Sequence, residues 1–257
     1  MTILNTLTWN INQKSGRGKF IPDVVPNEIL NKNRDIVVLT EFYKTSNTLD
    51  FIDKLKKSSY QVFTDPRPPK EDYNEILIAV KDKIIKSART TYINNEFFDP
   101  DFLQVSIVTT DDKILNIVGT RIKIDSKNYL TDKDFKRRKK QFDKVIEFVC
   151  NLEGTTIVTG DFNNGFYQEM DNLHSYKGKA REFYNYYMVK DMLEENNFSL
   201  HTPLNASSCG NNRLDHIAIR NGLLNNSSQT LKYDWNFNQL KRNGYPDHAI
   251  LLAEFIF

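Results

Sequence analysis

Apolar residues along the chain gather into short β-branched runs separated by polar, helix-like stretches. These runs predict strands over Ile3–Asn10, Ile36–Glu41, Tyr60–Phe63, Ile76–Val80, Leu103–Thr109, Leu115–Ile122, Thr156–Gly160, Leu214–Ile219 and Ala249–Phe257. Roughly ten strands are too many for one flat sheet, so two packed sheets are expected. The alternation with helical stretches makes the class α/β. The clearest helix spans Asp132–Asn151, where Phe135, Phe142, Val145, Ile146 and Val149 share one face and Gly154 stops the segment. Within it, Lys136–Lys140 is an unbroken basic run. The plain reading is a solvated face, and the alternative is a phosphate-facing patch. Pro66–Pro69 and Asn221–Gln229 read as loops. With no repeat or low-complexity linker, residues 1–257 are expected to form one domain.

Polar residues sit at the ends of these runs. Thr6–Asn12 ends in two asparagines, and Asp35–Glu41 ends in a carboxylate. Thr156–Asn163 ends in Asp161 and Asn163. Asp215 and His216 open one strand, while Asp247 and His248 precede the last. Such clustering points to a shared site at one edge of a sheet core. Taken singly, each group has an ordinary use as a solvated or turn-forming residue.

Composition narrows the field only a little. Of 257 residues, 39% are hydrophobic and 26% charged, which suits a soluble globular chain. A net charge of +2 does not announce a nucleic-acid binder, nor does it exclude one. Two cysteines, Cys150 and Cys209, rule out a disulfide scaffold and a four-cysteine zinc site. The amino terminus lacks a basic start and a long apolar run, so no signal peptide is expected. No stretch reaches the roughly 18 apolar residues of a membrane helix. A cytoplasmic setting and a monomer are the expectations.

In order and spacing, the five blocks resemble the endonuclease/exonuclease/phosphatase superfamily, which includes exonuclease III-like and deoxyribonuclease I-like enzymes. The most specific pieces are Gly160-Asp161-Phe162-Asn163, Arg213-Leu214-Asp215-His216 and Asp247-His248. The resemblance implies a four-layer fold: a two-sheet β-sandwich flanked by helices, with the site at one end. It also implies phosphoester hydrolysis with a divalent cation, Mg2+ or alternatively Mn2+. Magnesium takes oxygen ligands, which carboxylates and amides supply and thiolates do not.

By resemblance, Glu41 is a metal ligand and Asn10 and Asn12 support metal and phosphate. Some relatives carry Asp where Asn12 stands, so the amide lowers the negative charge of the site. Asp161 matches the carboxylate that orients or deprotonates water. Asn163 matches the amide that donates to the phosphate. His248 matches the active-site histidine and Asp215 its carboxylate partner. A charged His248 would stabilise phosphoryl oxygens, and a neutral one would act as base. Asp247 is a candidate second metal ligand. One departure stands out: many relatives carry Asn-Thr-His where this chain reads Gly119-Thr120-Arg121. Arg121 cannot be a general acid at neutral pH, but its fork can hold a phosphate oxygen.

Other features carry less. His216 follows Asp215 on a strand and should face the opposite side. His201 and His174 lie in loop-like sequence. Lys14–Lys19 is either a basic rim or a plain surface loop, without the spacing of a phosphate-binding loop. Phe183–Tyr187 reads as helical packing, with base stacking as the alternative. The leading functional expectation is a metal-dependent nuclease on DNA or RNA. The second is a phosphatase or phosphodiesterase on an inositol phosphate, lipid headgroup or nucleotide. A binding module without chemistry is the third, and Arg121 is its only support.

Overall fold

The computed structural model describes residues 2–13, 19–66, 75–92, 99–165, 182–204, 206–224, 230–240 and 243–257. In chain order the elements are β1 (Ile3–Asn10), α1 (Val24–Lys32), β2 (Ile36–Phe42), α2 (Thr48–Lys57), β3 (Tyr60–Thr64) and β4 (Glu75–Lys81). Next come β5 (Ile85–Thr91), β6 (Asp101–Thr109), β7 (Ile114–Arg121), α3 (Asp132–Cys150), β8 (Thr155–Asp161) and α4 (Tyr186–Glu194). The chain ends with β9 (Ser199–His201), β10 (Asp215–Arg220), β11 (Leu223–Leu224), β12 (Lys232–Asp234) and β13 (Ile250–Ile256).

The strands form a seven-stranded sheet in the order β11-β13-β1-β2-β4-β3, with β12 also on β13. A six-stranded sheet follows the order β5-β6-β7-β8-β10-β9. Each sheet has one parallel pair, β1 with β2 and β7 with β8, among antiparallel neighbours. The central strands are apolar on both faces because both faces are covered. In β2, Ile36 and Val38 face the other sheet, in one core with Ile76 and Leu251 of their own sheet and Ile117 and Ile157 of the other. Val37 and Leu39 face outward beneath α1 and α2, beside Val25, Ile29 and Phe51. On the second sheet, Val118 and Val158 face outward beneath α3 and α4, beside Phe142, Val149 and Val189. The result is the expected four-layer sandwich, helix–sheet–sheet–helix.

Several elements depart from the sequence reading. β5 went unforeseen because it is an edge strand whose residues after Ile85 are all exposed, so it has no apolar pattern. β9, β11 and β12 have three, two and three residues, too few for any period. Leu214 and Ala249 lie outside the strands predicted to contain them. Leu223–Leu224, placed in a loop, pairs with β13, while residues 225–229 and 67–74 lie outside the described residues. Helix α3 matches its predicted span to within a residue, and Thr131 caps it by accepting from the Asp134 N–H. Among the described residues, no helix is long and apolar enough to cross a membrane.

Two glycines permit close approaches, Gly119 between the sheets and Gly160 between neighbouring strands of one sheet. A Cβ on Gly119 would lie 2.5 Å from Ile76 Cγ2 and 2.8 Å from Val38 Cγ1, both on the opposing sheet. A Cβ on Gly160, at φ +145°, would lie 1.9 Å from the Thr120 carbonyl oxygen on the neighbouring strand. Backbone cannot yield as a side-chain tip can. Gly160→Ala should therefore cost about 3 kcal/mol or more in urea unfolding. A loss under about 1 kcal/mol would show that β7 and β8 can separate locally.

Candidate active site

β1 and β8 leave their sheets by the same turn. In Asn10-Ile11-Asn12, the Asn10 Oδ1 accepts from the Asn12 N–H at 3.0 Å. In Asp161-Phe162-Asn163, the Asp161 Oδ1 accepts from the Asn163 N–H, also at 3.0 Å. The closing residues are left-handed, Asn12 at φ 53° and Asn163 at φ 44°. Asparagine tolerates that conformation. Glu41 adopts it too, at φ 50°, without asparagine's advantage. It sits where pairing of β2 with β4 shifts register between Leu39 and Phe42. The irregularity re-aims a side chain at the end of the strand.

These turns bring the sheets together. Asn10 Nδ2 donates to Asp161 Oδ2 at 3.0 Å and to Glu41 Oε1 at 3.3 Å. Two residues back, the hydroxyls of Thr8 and Thr159 meet at 2.8 Å. In the six-stranded sheet, Asp101, Arg121, Asp161 and Asp215 are direct neighbours across β6, β7, β8 and β10. They make a row of charges across four strands. Arg121, predicted as a phosphate contact, is enclosed: Nε and Nη2 reach Glu41 Oε1 at 3.1 and 2.9 Å. Its Nη1 donates to Asp101 Oδ2 at 3.1 Å, and Nε lies 3.9 Å from Asp161 Oδ2. Burial works against its charge, but Glu41, Asp101 and Asp161 outweigh it and hold the guanidinium above arginine's ordinary range.

His248 Nδ1 and Asp215 Oδ2 are 2.7 Å apart, and Trp9 Nε1 fixes the His248 carbonyl at 2.9 Å. Burial opposes protonation of His248. The charge and hydrogen bond of Asp215, a hydrogen bond with Cys209 and the charge of Asp161 overcome it, so the imidazole pKa stands well above its usual value. The imidazolium is the form this geometry favours. Burial, then the nearby Asp215 carboxylate, push Asp161 up to about 7, against the pull of His248 and Arg121. Asp161 is thus poised to take or release a proton near neutrality.

The structure thereby gathers Asn10, Glu41, Arg121, Asp161, Asn163, Asp215 and His248 at one end of the sandwich. Most of them border a cleft of about 240 Å³. Asp247 is exposed and lines the same cleft. Both Asn163 Nδ2 hydrogens are engaged, one on the Ile122 carbonyl and one on Asp161 Oδ2, each at 2.9 Å. In this conformation Asn163 clamps Asp161.

Sequence reasoning missed Asp101 and Lys123, and it did not single out Arg138 within the Lys136–Lys140 run. Lys123 Nζ sits 3.3 Å from Asp101 Oδ1. Arg138 lines the cleft, donates to the Asn163 carbonyl at 2.8 Å and is paired with Asp134. Its helical phase, three residues after Phe135 and four before Phe142, was the available signal. The Lys136–Lys140 run is therefore neither a uniform solvated face nor a uniform patch. Lys139 pairs with Asp143, Lys136 lies over the Phe183 ring, and Arg138 faces the cleft. Tyr184 and Tyr186 are buried, so the aromatic run is chiefly packing. His201 ends β9, while His174 and residues 14–18 lie outside the described residues.

The oxygens of Glu41, Asn12 and Asp247 are hard donors of the kind magnesium takes. Asn12 Oδ1 is buried without a hydrogen-bond partner, an acceptor that a cation would satisfy. Among the described residues, no three His, Cys, Asp or Glu side chains form a ready metal cage. Amide oxygens must complete any such site. The donor set fits a hard divalent cation on these terms.

No family model and no curated protein sequence matches the chain. Solved structures do. A humanized D. rerio TDP2 matches with a TM-score of 0.61 at 15% identity, over 99% of each chain. An endonuclease/exonuclease/phosphatase from Beutenbergia cavernae matches at 0.63 and 11% identity, over 99% of this chain and 72% of that one. ANGEL2, a 2′,3′-cyclic phosphatase in complex with adenosine-2′,3′-vanadate, matches at 0.63 and 13% identity, over 98% and 95%. The fold is therefore that of the endonuclease/exonuclease/phosphatase superfamily, as the sequence resemblance implied.

His216 faces away from the cleft, as its parity predicted. It packs against the rings of Phe162 and Tyr186, with Nε2 on Asn164 Oδ1 at 2.8 Å and Nδ1 on Thr202 Oγ1 at 2.7 Å. Burial holds its pKa down to about 4, from an ordinary 6.5. The unfolded chain takes up a proton here before the folded one does. Stability should consequently fall as pH drops from about 6.5 toward 4, by about 3 kcal/mol from this group. In urea titrations between pH 7.5 and 4.5, His216→Asn should lose less stability than the parent. Parallel losses would remove His216 as the source.

Proposed function

We propose that this protein is a divalent-metal-dependent phosphodiester hydrolase, acting as a nuclease on DNA or RNA. The observation that carries this reading is Asp161. It is a buried carboxylate held by Asn10 and Asn163 between the Arg121 guanidinium and the His248–Asp215 pair. A phosphodiester repels nucleophiles, so hydrolysis needs a base for water and cations for the developing charge.

Asp161, with its pKa pushed up to about 7, orients a water molecule and accepts its proton. Three N–H donors from Asn10 and Asn163 fix the carboxylate in place. His248, held as imidazolium by Asp215, donates to a phosphoryl oxygen. Arg121 takes a second oxygen through its fork, supplying charge but no proton. Glu41 and Asn12, with Asp247, would hold the cation, Mg2+ or Mn2+. When bound, that cation neutralises phosphate charge and acts as a Lewis acid. The sequence resemblance also makes Asn163 a phosphate donor. That role requires its Nδ2 to leave Asp161 or Ile122.

Nucleic acid is favoured by the cations facing the cleft, Arg121 and Arg138. One matched D. rerio TDP2 structure is of a complex with a single-strand DNA product, which supports the same choice. A small phosphoester is the second reading, favoured by a cleft of only about 240 Å³.

Labelled DNA and RNA incubated with purified protein and Mg2+ should be cleaved, and a chelator should stop it. Asp161→Ala should lower the rate by about 10²–10⁴-fold. Cleavage at the parental rate by Asp161→Ala would take Asp161 out of the chemistry. Intact polymers alongside turnover of a nucleotide or phosphoinositide would replace the nuclease reading with the second.

A further inference from the structure

We infer that Arg121 is a built-in counter-cation. It holds Glu41 where a divalent cation would bind, and yields it when a substrate phosphate takes the guanidinium. This rests on the hydrolase reading above and deepens it, because it makes metal capture depend on substrate.

Arg121 ends β7 directly opposite Asp101 on β6 and Asp161 on β8. Glu41 arrives from the other sheet, turned inward at its left-handed backbone. The guanidinium therefore lies among three carboxylates and is almost wholly buried, with its side chain 11% exposed. Two of its nitrogens converge on a single oxygen, Glu41 Oε1, which also accepts from Asn10. A cation approaching that oxygen meets a positive charge already seated about 3 Å from it. In a poorly screened site, such like charges exclude one another strongly.

Lys123 adds to the effect. It shares Asp101 with Arg121, so the three carboxylates face two fixed cations and keep little net negative charge for a third. Asn12 contributes an amide with no charge. An arginine also cannot leave by losing its proton, as a histidine can. It leaves Glu41 only for a better anion. Phosphate is that anion, because it takes two parallel N–H bonds from the fork while Nη1 stays anchored toward Asp101. Cation and phosphate should thus bind with a cooperativity that passes through Arg121, beyond any direct bond between them.

Mn2+ binding, followed by the electron paramagnetic resonance signal of the free ion, tests this without any turnover. Parent, Arg121→Gln, Glu41→Gln and the double variant would be titrated with and without inorganic phosphate. Thermal melts would confirm folding. Without phosphate, Arg121→Gln should bind Mn2+ about tenfold more tightly than the parent. Adding Glu41→Gln should abolish that gain. Phosphate should tighten Mn2+ binding more in the parent than in Arg121→Gln. Equal or weaker affinity in folded Arg121→Gln would overturn the inference and leave the hydrolase reading standing. So would an equal response to phosphate. Absence of Mn2+ binding in all four proteins would overturn both. Should Arg121→Gln fail to fold, Arg121→Met carries the test. It removes the charge and keeps an unbranched side chain of similar reach, so a gain of about tenfold is again expected. An unchanged affinity would overturn the inference.

Discussion

The hydrogen bond from Asn10 Nδ2 to Asp161 Oδ2 is where two sheets become one site. A carboxylate 1% exposed cannot keep its charge without donors. Asp161 obtains three, from Asn10 Nδ2 on one sheet and from the backbone and side chain of Asn163 on its own. All three are neutral. They fix the carboxylate without cancelling its charge, so burial, and then Asp215 across the strand pair, still raise its proton affinity. Fixed geometry and high basicity thus coexist in one residue. Had cations supplied all three donors, the group would be held as firmly but would be a poor base.

The strand pairing shows how the fold delivers this. In the first sheet, β13-β1-β2-β4-β3 runs antiparallel, parallel, antiparallel, antiparallel. In the second, β10-β8-β7-β6-β5 repeats that pattern. β1 and β8 are thereby equivalent, and so are β2 and β7. Their ends supply Asn10 with Asp161, and Glu41 with Arg121. The third pair joins Asp215 of β10 to His248, just before β13. Each pair is bonded across the sheets, and each joins unlike groups. Identical carboxylates at these positions would repel across a short gap. Unlike types turn the same closeness into bonds, and Gly119 permits that closeness.

The sequence disclosed what burial and strand parity control. β2, β4 and β13 are apolar over most of their length, β1, β6, β7 and β8 mix threonines, amides or glycine with their apolar residues, and acids, amides or histidine stand at or just beyond several of their ends. Hence Asn10, Glu41, Asp161 and His248 were legible, and the parity of Asp215 and His216 separated the partner of His248 from a histidine packed on the opposite face of the sheet. Pairing register was not legible. Nothing in Asp99-Pro100-Asp101 says that Asp101 will stand beside Arg121, since that follows from the alignment of β6 on β7. The aromatic run read as helical packing, but the start of α4 within it was not legible. The run is divided by the Asn185 cap, which accepts from the N–H groups of Tyr187 and Met188. β5 was hidden because an exposed edge strand needs no apolar residues.

Left-handed backbone recurs at the proposed site, as it does elsewhere at residues such as Ser59 and Asp112. Asn12, Glu41 and Asn163 are all left-handed, at the ends of three strands that converge on one cleft. For the asparagines the cost is small. For glutamate it is about 1–2 kcal/mol, and glycine or asparagine would avoid it. Packing does not ask for a glutamate there, because the carboxylate is 4% exposed and draws two charge-bearing nitrogens of Arg121 into the interior with it. A buried ion pair of this kind adds little net stability over apolar residues of the same size. Stability therefore accounts for neither the backbone at residue 41 nor the charge it carries. The proposed role of Glu41 as a cation ligand, which needs an anionic oxygen pointing into the cleft, would account for both.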